Sequence, residues 1–439
     1  MKKNLPYIIV VAVIAIIVVV SKPWERPNPP RIDEPSDTIA TQVNGETEEV
    51  DVDICIYMEN SGSMDGYVNL NSDFKDALGK IIVKSDVYGK STNLYFINDK
   101  IYDIQETALK GDVNNFVSQL NASTMKIGMT GSSNINQIFR MVLDKTAQDT
   151  VSILFSDFVY SIKGTDVSSQ VANAKNATMG AFMNAIKSNP NFATIILQCS
   201  SQFKGKYYDR NDKPIAYTGT RPYYIFIMGS CDKLQYIDKK LELNTSSTGI
   251  PGLMNIYFLS SKSYELNDGS VQVLTNSYTN SLLIKPEKNE YDIDFFKFDK
   301  NDAVWEFGYA LDVSNMFIDE SYLTDIANYE IEPSEITLMK AEFTKEQAAI
   351  DEVTQFTSPL VLQLGMNNTT RTPNIKVRLI NHIPSWVSAA NIMDDQGVVP
   401  EPMQTFAIES LISGVFEAFK SQTSNNPIFE YEVTINKYK

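Results

Sequence analysis

The chain contains 439 residues, of which 43% are hydrophobic and 21% are charged. A chain of this length exceeds what one compact core supports, so we expect more than one folded domain, and the composition excludes wholesale disorder. The net charge of −16 argues against a nucleic-acid partner, because phosphate binding requires a basic surface.

The amino-terminal residues have the pattern of a membrane anchor. Lys2 and Lys3 precede an uncharged apolar run from Leu5 to Val20. A helix of this length rises about 24 Å, which is near the lower limit for crossing a bilayer. We predict an uncleaved single-pass anchor over residues 1–21 with the body of the protein outside the cytoplasm. A cleaved signal peptide is the alternative, although no small-residue cleavage site follows the apolar run.

Residues 22–49 form a different kind of segment. Five prolines lie between Pro23 and Pro35, and the remaining residues are polar and acidic. This composition predicts a stiff, solvated stalk that separates the anchor from the folded part of the chain.

Residues 50–245 alternate between predicted strands and helices. The strand candidates are residues 52–58, Asn93–Ile97, Ile101–Ile104, Thr150–Phe155, Ala193–Gln198 and Tyr223–Met228. The helix candidates are Asp73–Lys84, Asp112–Leu120, residues 135–143, Ser168–Ser188 and Asp232–Leu243. This alternation predicts an α/β domain with a doubly wound, mostly parallel sheet. The turn at Asn98 and Asp99 predicts one antiparallel edge strand.

Oxygen-bearing side chains follow three of these elements. Glu59, Ser61 and Ser63 come directly after the opening strand, Ser133 precedes a helix, and Asp157 follows the strand Thr150–Phe155. Ligands of open α/β sheets bind beyond the carboxyl ends of the strands, so we expect these side chains to converge there. Hydroxyl and carboxylate oxygens suit a hard divalent cation, Mg²⁺ or alternatively Ca²⁺ or Mn²⁺.

The three segments together resemble the metal-ion-dependent adhesion site of the von Willebrand factor type A (vWA) domain family. The Asp-x-Ser-x-Ser motif of that family corresponds to residues 59–63, and its Gly-Gly-Thr-Asn-type loop corresponds to residues 131–134. Its strand-terminal Thr-Asp-Gly corresponds to residues 156–158. The chain departs from the family pattern in two ligands, since Glu59 replaces the leading aspartate and Ser133 replaces the threonine.

The resemblance implies a Rossmann-like vWA fold and a protein-binding function. A divalent metal held by Glu59, Ser61, Ser63, Ser133 and Asp157 would capture an Asp or Glu side chain of a partner protein, because neutral hydroxyl ligands leave the cation with surplus positive charge. The alternative is a scaffold of the cell envelope that uses the same fold without metal. In that case the serines form a tight turn and Ser133 caps a helix.

The residues from 250 to 439 have the pattern of a β-rich domain, either a sandwich or an α+β fold. The strand candidates are Met254–Leu259, Val271–Leu274, Ser281–Ile284, Asp292–Phe298, Glu330–Leu338, Leu360–Leu364, Ile375–Ile380 and Phe429–Ile435. Thr405–Lys420 has apolar residues at helical spacing and predicts a helix that faces a core.

Two further observations bear on function. His382 is the only histidine, and no nucleophile elbow or zinc-protease helix accompanies it, so we predict no enzymatic activity and regard a hydrolase as the least favoured alternative. Of the three cysteines, Cys55 lies inside an apolar strand and is expected in the core. Cys199 and Cys231 follow predicted strands, which leaves a disulfide between them open.

Overall fold

A computed structural model describes residues 51–107, 113–131, 133–243, 249–264, 266, 269–279, 285–286, 292–295, 304–316, 318–367, 374–422 and 427–435. All of these residues belong to one compact unit. The predictions for Leu5–Val20, Asp112 and Ser281–Ile284 lie outside them. No helix within the described ranges is long and apolar enough to span a bilayer.

The described helices are α1 Asp65–Val68, α2 Asp73–Tyr88, α3 Val113–Gln119, α4 Ile135–Lys145, α5 Val167–Ser188, α6 Cys231–Leu241, α7 Glu320–Thr324, α8 Gln347–Glu352, α9 Ser385–Ala389 and α10 Ile408–Gln422. The described strands are β1 Asp53–Glu59, β2 Ser91–Ile97, β3 Ile101–Asp103, β4 Thr150–Ser156, β5 Phe192–Tyr208, β6 Pro214–Ser230, β7 Leu253–Ser260, β8 Val271–Val273, β9 Lys285–Pro286, β10 Asp292–Phe295, β11 Val304–Asp312, β12 Tyr329–Glu332, β13 Ile336–Phe343, β14 Pro359–Asn367, β15 Asn374–Leu379, β16 Asn391–Ile392, β17 Thr405–Phe406 and β18 Phe429–Ile435.

The first sheet has seven strands in the order β3-β2-β1-β4-β6-β5-β7. Strand β1 pairs in parallel with β2 and β4, and the other pairings are antiparallel. The predicted α/β class and the β2–β3 hairpin are confirmed, whereas the prediction of a mostly parallel sheet is wrong because the sheet is mixed. The physical reason is that a short turn joins β5 to β6, and only a longer crossover connection permits parallel pairing.

The long hairpin of β5 and β6 replaces what the sequence pattern predicted as two short strands and an irregular excursion. Each strand has 17 residues, and their pairing runs from Phe192 opposite Ser230 to Tyr208 opposite Pro214. The halves nearer Phe192 and Ser230 are buried on both faces. Nearer the turn, β5 mixes buried with more exposed residues, and β6 alternates between exposed and half-buried residues. These halves are therefore less apolar and harder to recognise as strand.

Helices cover both faces of the first sheet. On one face β1 packs through Ile54 and Ile56 against α2 and α6. On the other face α4, α5 and α10 share a second apolar core that includes Phe182 and Leu411. Helix α10 thus reaches the first sheet from near the end of the chain, and Lys175 of α5 pairs with Glu417 of α10 at 2.6 Å.

Two further sheets form a β-sandwich. Their orders are β12-β15-β18-β10-β9 and β13-β14-β11-β8. Trp305, Phe307 and Leu362 from one sheet share a core with Val377 and Phe429 from the other. The prediction of a β-rich second half is therefore confirmed. The predicted strand Glu330–Leu338 is two strands, β12 and β13, because Pro333 between them has no N–H to continue a ladder.

All three cysteines are free thiols. Cys199 lies opposite Tyr223 in the β5–β6 hairpin, whereas Cys231 follows Ser230, which lies opposite Phe192. The separation along the hairpin is therefore about 23 Å, far beyond the roughly 7 Å between Cα atoms that a disulfide allows. The hairpin register excludes the disulfide that the sequence left open.

Two helical glycines test how closely α10 packs on α5. A Cβ at Gly414 of α10 would lie 2.6 Å from the carbonyl oxygen of Lys175 in α5, whereas a Cβ at Gly180 of α5 would meet nothing within 4 Å. We expect Gly414→Ala to lower the free energy of unfolding by about 1–3 kcal/mol through overpacking. The matched Gly180→Ala should raise it by about 0.5–1 kcal/mol. Chemical denaturation measures both, and equal effects would contradict the close helix contact.

Candidate functional site

The parallel pairing of β1 and β4 positions the candidate site. Met58 lies opposite Phe155 in this pair, so Glu59 and Ser156 end neighbouring strands at the same edge of the sheet and Asp157 follows directly. Helix α4 begins at Ile135 beside this edge and brings the preceding Ser133 to it. The convergence predicted from the sequence is therefore present.

Glu59 is the centre of the hydrogen bonding at this edge. Its side chain is 1% exposed. The hydroxyl of Ser133 donates to Oε1 of Glu59, and the hydroxyl of Ser156 donates to Oε2 over 2.6 Å. Ser133 does not cap helix α4, because Asn134 occupies the N-cap position and accepts from the backbone N–H of Gln137 over 3.2 Å. The alternative role for Ser133 as a cap is thus wrong.

The two serines of the loop that follows β1 lie beside Asp157. The hydroxyl oxygens of Ser61 and Ser63 are 3.0 Å apart, and the Ser63 hydroxyl is close enough to Asp157 to lower the pKa of its carboxyl. The backbone N–H of Val159 donates to Oδ1 of Asp157 over 3.3 Å. The five residues predicted as ligands therefore lie together in the folded chain.

The two buried carboxylates repel each other. Burial and the charge of Glu59 raise the pKa of Asp157 to about 7, against the opposing effects of the Ser63 hydroxyl, the Val159 amide and the Arg221 guanidinium. Desolvation and a nearby like charge both disfavour the ionised form. A positive charge placed between Glu59 and Asp157 would oppose both the desolvation and the repulsion, and would favour the ionised form of Asp157.

Buried side-chain amides connect the loop that follows β1 to the segment of residues 125–127. The Asn60 side chain is 1% exposed, and its Nδ2 donates to the carbonyl oxygens of Met125 and Ile127 over 2.7 and 2.8 Å. Nδ2 of Asn98 donates in turn to Oδ1 of Asn60 over 2.9 Å. Asn60 occupies an unspecified position of the serine motif, and its structural role follows only from the tertiary contacts.

The turn of the β5–β6 hairpin forms a roof that sequence reasoning missed. A cavity of about 70 Å³ is lined by Ser61, Ser63 and Ser133 from the predicted site and by Tyr208 and Asp212 from the hairpin. The hydroxyl of Ser161 donates to Asp212 over 2.5 Å. No local pattern marks these residues, because they reach the site only through the length and register of the hairpin.

The hairpin is fixed over the site by polar contacts of Arg210 and Tyr207, which are both buried. Nε of Arg210 donates to Asp394 over 2.8 Å, its NH2 group donates to Gln396 over 2.9 Å, and its backbone N–H donates to Asp395 over 3.0 Å. The Tyr207 hydroxyl also donates to Asp395. Asp395 is fully buried, so these bonds replace its lost hydration.

The hairpin also contacts the serine motif directly. A Cβ at Gly205 would lie 2.7 Å from the Cα atom of Gly66, and a Cβ at Gly62 would lie 3.3 Å from the Tyr208 hydroxyl. Gly66 and Gly205 thus permit a close backbone approach that a larger residue would prevent.

The oxygen atoms of the candidate site are suitable ligands for a hard divalent cation. The polar groups of the site are serine hydroxyls and two carboxylates, and oxygen ligands with one or two carboxylates are what Mg²⁺ and Ca²⁺ prefer. Throughout the described parts of the chain, no cluster of three or more His, Cys, Asp or Glu side chains is placed to hold a metal. The hydroxyls are therefore essential to any cation site built here.

Comparisons of the chain with protein-family models, with curated proteins and with solved structures give no match. The similarity to the vWA family consequently rests on three motifs, residues 59–63, 131–134 and 156–158, and on the elements that carry them. Asp157 is followed by Phe158 where the family motif has glycine.

The backbone at Phe158 has the conformation that glycine favours. Its φ is +50°, a region in which a side chain other than glycine is strained. The ring is fully buried, stacks on Phe139 at a centroid distance of 5.5 Å and lies 4.8 Å from Phe226. Ring packing therefore stabilises a strained backbone next to Asp157.

Glycine and alanine substitutions separate strain from packing at this position. Phe158→Ala and Phe158→Gly both lose ring contacts, at a cost of about 3–5 kcal/mol. Because glycine tolerates a positive φ, the Phe158→Gly protein should be more stable than the Phe158→Ala protein by about 1 kcal/mol. At Phe182, inside helix α5, the order should reverse. Denaturant unfolding of the four variants tests this, and the same order at both positions would contradict the strain.

The raised pKa of Asp157 predicts a pH-dependent stability in the presence of chelator. Between the unfolded pKa of about 3.9 and the folded pKa of about 7, the folded state holds a proton that the unfolded state has lost. The free energy of unfolding should therefore decrease as pH rises through this window, by up to about 1.4 kcal/mol per unit. Asp157→Asn should remove that slope and be more stable than the unmodified chain at pH 8.

The control for this experiment is Asp144→Asn, which alters an exposed carboxylate on helix α4. It should leave the pH dependence of unfolding unchanged. If the Asp157→Asn and unmodified proteins have parallel stability curves between pH 4 and pH 8, Asp157 does not carry the buried proton.

Proposed function

We propose that the chain is a membrane-anchored protein-binding module whose vWA-like domain uses a divalent cation to capture a carboxylate of a partner protein. The observation that carries the proposal is the convergence of three separate segments at the carboxyl ends of β1 and β4. They place serine hydroxyls around two buried carboxylates, Glu59 and Asp157.

The hydrogen bonds of the site support a ligand role for its serines. A hydroxyl has one donor proton and two acceptor lone pairs. Ser133 gives its proton to Glu59, which leaves the lone pairs of its oxygen available. The Ser63 oxygen is hydrogen-bonded to that of Ser61 and lies near the Asp157 carboxyl. Glu59 and Asp157 thus orient the hydroxyls and add negative charge, either as direct ligands or through water.

The bound cation would supply positive charge that the neutral hydroxyls do not cancel. Where Glu59 and Asp157 act through water, the direct ligands from Ser61, Ser63 and Ser133 carry no formal charge, so a further carboxylate is favoured at the open side. The cavity of about 70 Å³ has room for one small group. An Asp or Glu side chain from a partner fits both the charge and the size.

The second candidate function is a scaffold of the cell envelope that needs no metal. The observation that favours it is that both carboxylate oxygens of Glu59 already accept hydroxyl hydrogen bonds. These bonds keep the edge of the sheet together without a cation. Glu59 is also one methylene longer than the aspartate of the family motif.

The proposed location rests on the amino-terminal sequence. The apolar run Leu5–Val20 would anchor the chain in a membrane, and the Pro-rich residues 22–49 would hold the folded part away from the surface. We place the folded part outside the cytoplasm, on the side from which an envelope or extracellular partner would approach.

Calorimetric titration separates the two functions. Addition of Mg²⁺, Ca²⁺ or Mn²⁺ to the chelator-treated full chain should release or absorb heat saturably. It should also raise the free energy of unfolding by about 2.7 kcal/mol at a hundredfold excess over Kd. Ser63→Ala should weaken binding by about tenfold or more, because it removes one ligand and the hydroxyl that lies beside Asp157.

Ser118→Ala is the matched control, since Ser118 is exposed on helix α3. This variant should bind the cation like the unmodified chain. If the unmodified protein binds no cation, the metal-free scaffold remains as the candidate function. If the cation binds, partner recovery from membrane extract should fall with chelator and with Ser63→Ala. Recovery unchanged by both would reject metal-mediated capture.

A further inference from the structure

A second cavity lies away from the candidate cation site. It has a volume of about 370 Å³ and opens between the edge strand β7 and the segment that follows β15. Tyr257 of β7, Tyr322 of α7 and Trp386 of α9 are among its lining residues. This size is within the range of small-molecule pockets, which commonly form where two layers of a protein meet.

The acidic residues of this cavity are Asp319 and Asp325. No Lys or Arg is among the described residues that line it, and His382 is the one of these residues that can carry a positive charge. Oδ1 of Asp319 accepts from the backbone N–H of Ser321 over 2.7 Å, and Oδ1 of Asp325 accepts from that of Ala327 over 3.0 Å. Each carboxylate has a second oxygen that its capping bond does not use.

The neutral polar groups add acceptors. Nδ2 of Asn255 donates to Gln198 over 2.7 Å, and Nδ2 of Asn328 donates to the carbonyl oxygen of Tyr322 over 2.9 Å. Each amide group therefore uses one of its two N–H donors within the protein, and both residues, each with a carbonyl acceptor, line the cavity. The cavity thus combines carboxylate and amide oxygens with aromatic rings.

We propose that this cavity binds a primary ammonium group carried on a short carbon chain, as in a lysine side chain or a small diamine. An ammonium has three donors and no acceptor, which complements a lining that contains two carboxylates and amide oxygens and no Lys or Arg among its described residues. Aromatic side chains favour a nearby cation and cover its carbon chain. The two aspartates are the specificity-determining residues of the site, which is independent of the proposed cation-dependent capture.

Titration of the full chain with 1,5-diaminopentane tests the proposal. Calorimetry should show saturable binding that weakens as salt concentration rises. Trp386 lines the cavity, whereas Trp305 lies in the sandwich core, so binding should also change the tryptophan fluorescence, and Trp386→Phe should abolish that change. The neutral analogue 1,5-pentanediol should produce neither signal.

Charge-removing substitutions locate the binding site. The double variant Asp319→Asn with Asp325→Asn retains oxygen atoms that cap helix α7 and the 3-10 helix Ile326–Asn328 but removes both charges. It should weaken diaminopentane binding by about a hundredfold, or about tenfold for each charge-assisted bond lost. Asp351→Asn, an exposed position on α8, is the control and should leave binding unchanged.

The source of the amine is distinguished by a peptide arm. Tighter binding of acetyl-Gly-Lys-Gly-amide than of diaminopentane supports a protein lysine as the ligand, and the reverse order supports a free diamine. The proposal fails if diaminopentane does not bind, if pentanediol binds equally well, or if the double variant retains full affinity.

Discussion

The carboxylate of Glu59 is the group on which the organisation of the candidate site depends. It ends β1, and its two oxygens accept hydrogen bonds from Ser133 before helix α4 and from Ser156 at the end of β4. Hydrogen bonds to a charged group contribute about 1.5–3 kcal/mol each, whereas burial of the charge costs several kcal/mol. The site is therefore held together by a group whose own burial is unfavourable.

This balance explains why the neighbouring residues are so constrained. Asp157 lies close enough to Glu59 for its pKa to rise to about 7, and the next residue, Phe158, adopts a positive φ in order to bury its ring. Strained backbone and like-charge pairs persist where the surrounding structure compensates for them, and such places are often functional. A cation at this point would convert an electrostatic cost into a favourable interaction.

The β5–β6 hairpin connects the site to the rest of the fold. Its inner half forms two strands of the first sheet, while its outer half covers the serine motif and is held by Arg210 against residues 394–396. Residues from late in the chain thus support the roof of a site whose predicted ligands lie between residues 59 and 157. Access to the candidate site depends on this roof as well as on the motif itself.

Local sequence patterns were sufficient for many of the elements and for the five candidate ligands. Apolar periodicity predicted β1, β4, α5 and α10, and the motifs identified the five candidate ligands, because strand order placed Glu59 and Asp157 at one edge. The β-rich character of the second half also followed from pattern alone. These features depend on residues close together in the chain, so the sequence expresses them directly.

Long-range contacts determined the features of the fold that local sequence patterns did not predict. The antiparallel register of β5 with β6 made the sheet mixed and excluded a Cys199–Cys231 disulfide. The packing of Phe419 on Phe192, at a centroid distance of 6.2 Å, brought α10 onto the first sheet. Such pairings join residues far apart in sequence, and each apolar face is compatible with several partners. The sequence by itself therefore identified the five candidate ligands, and only the tertiary structure determined which other residues complete and cover the site.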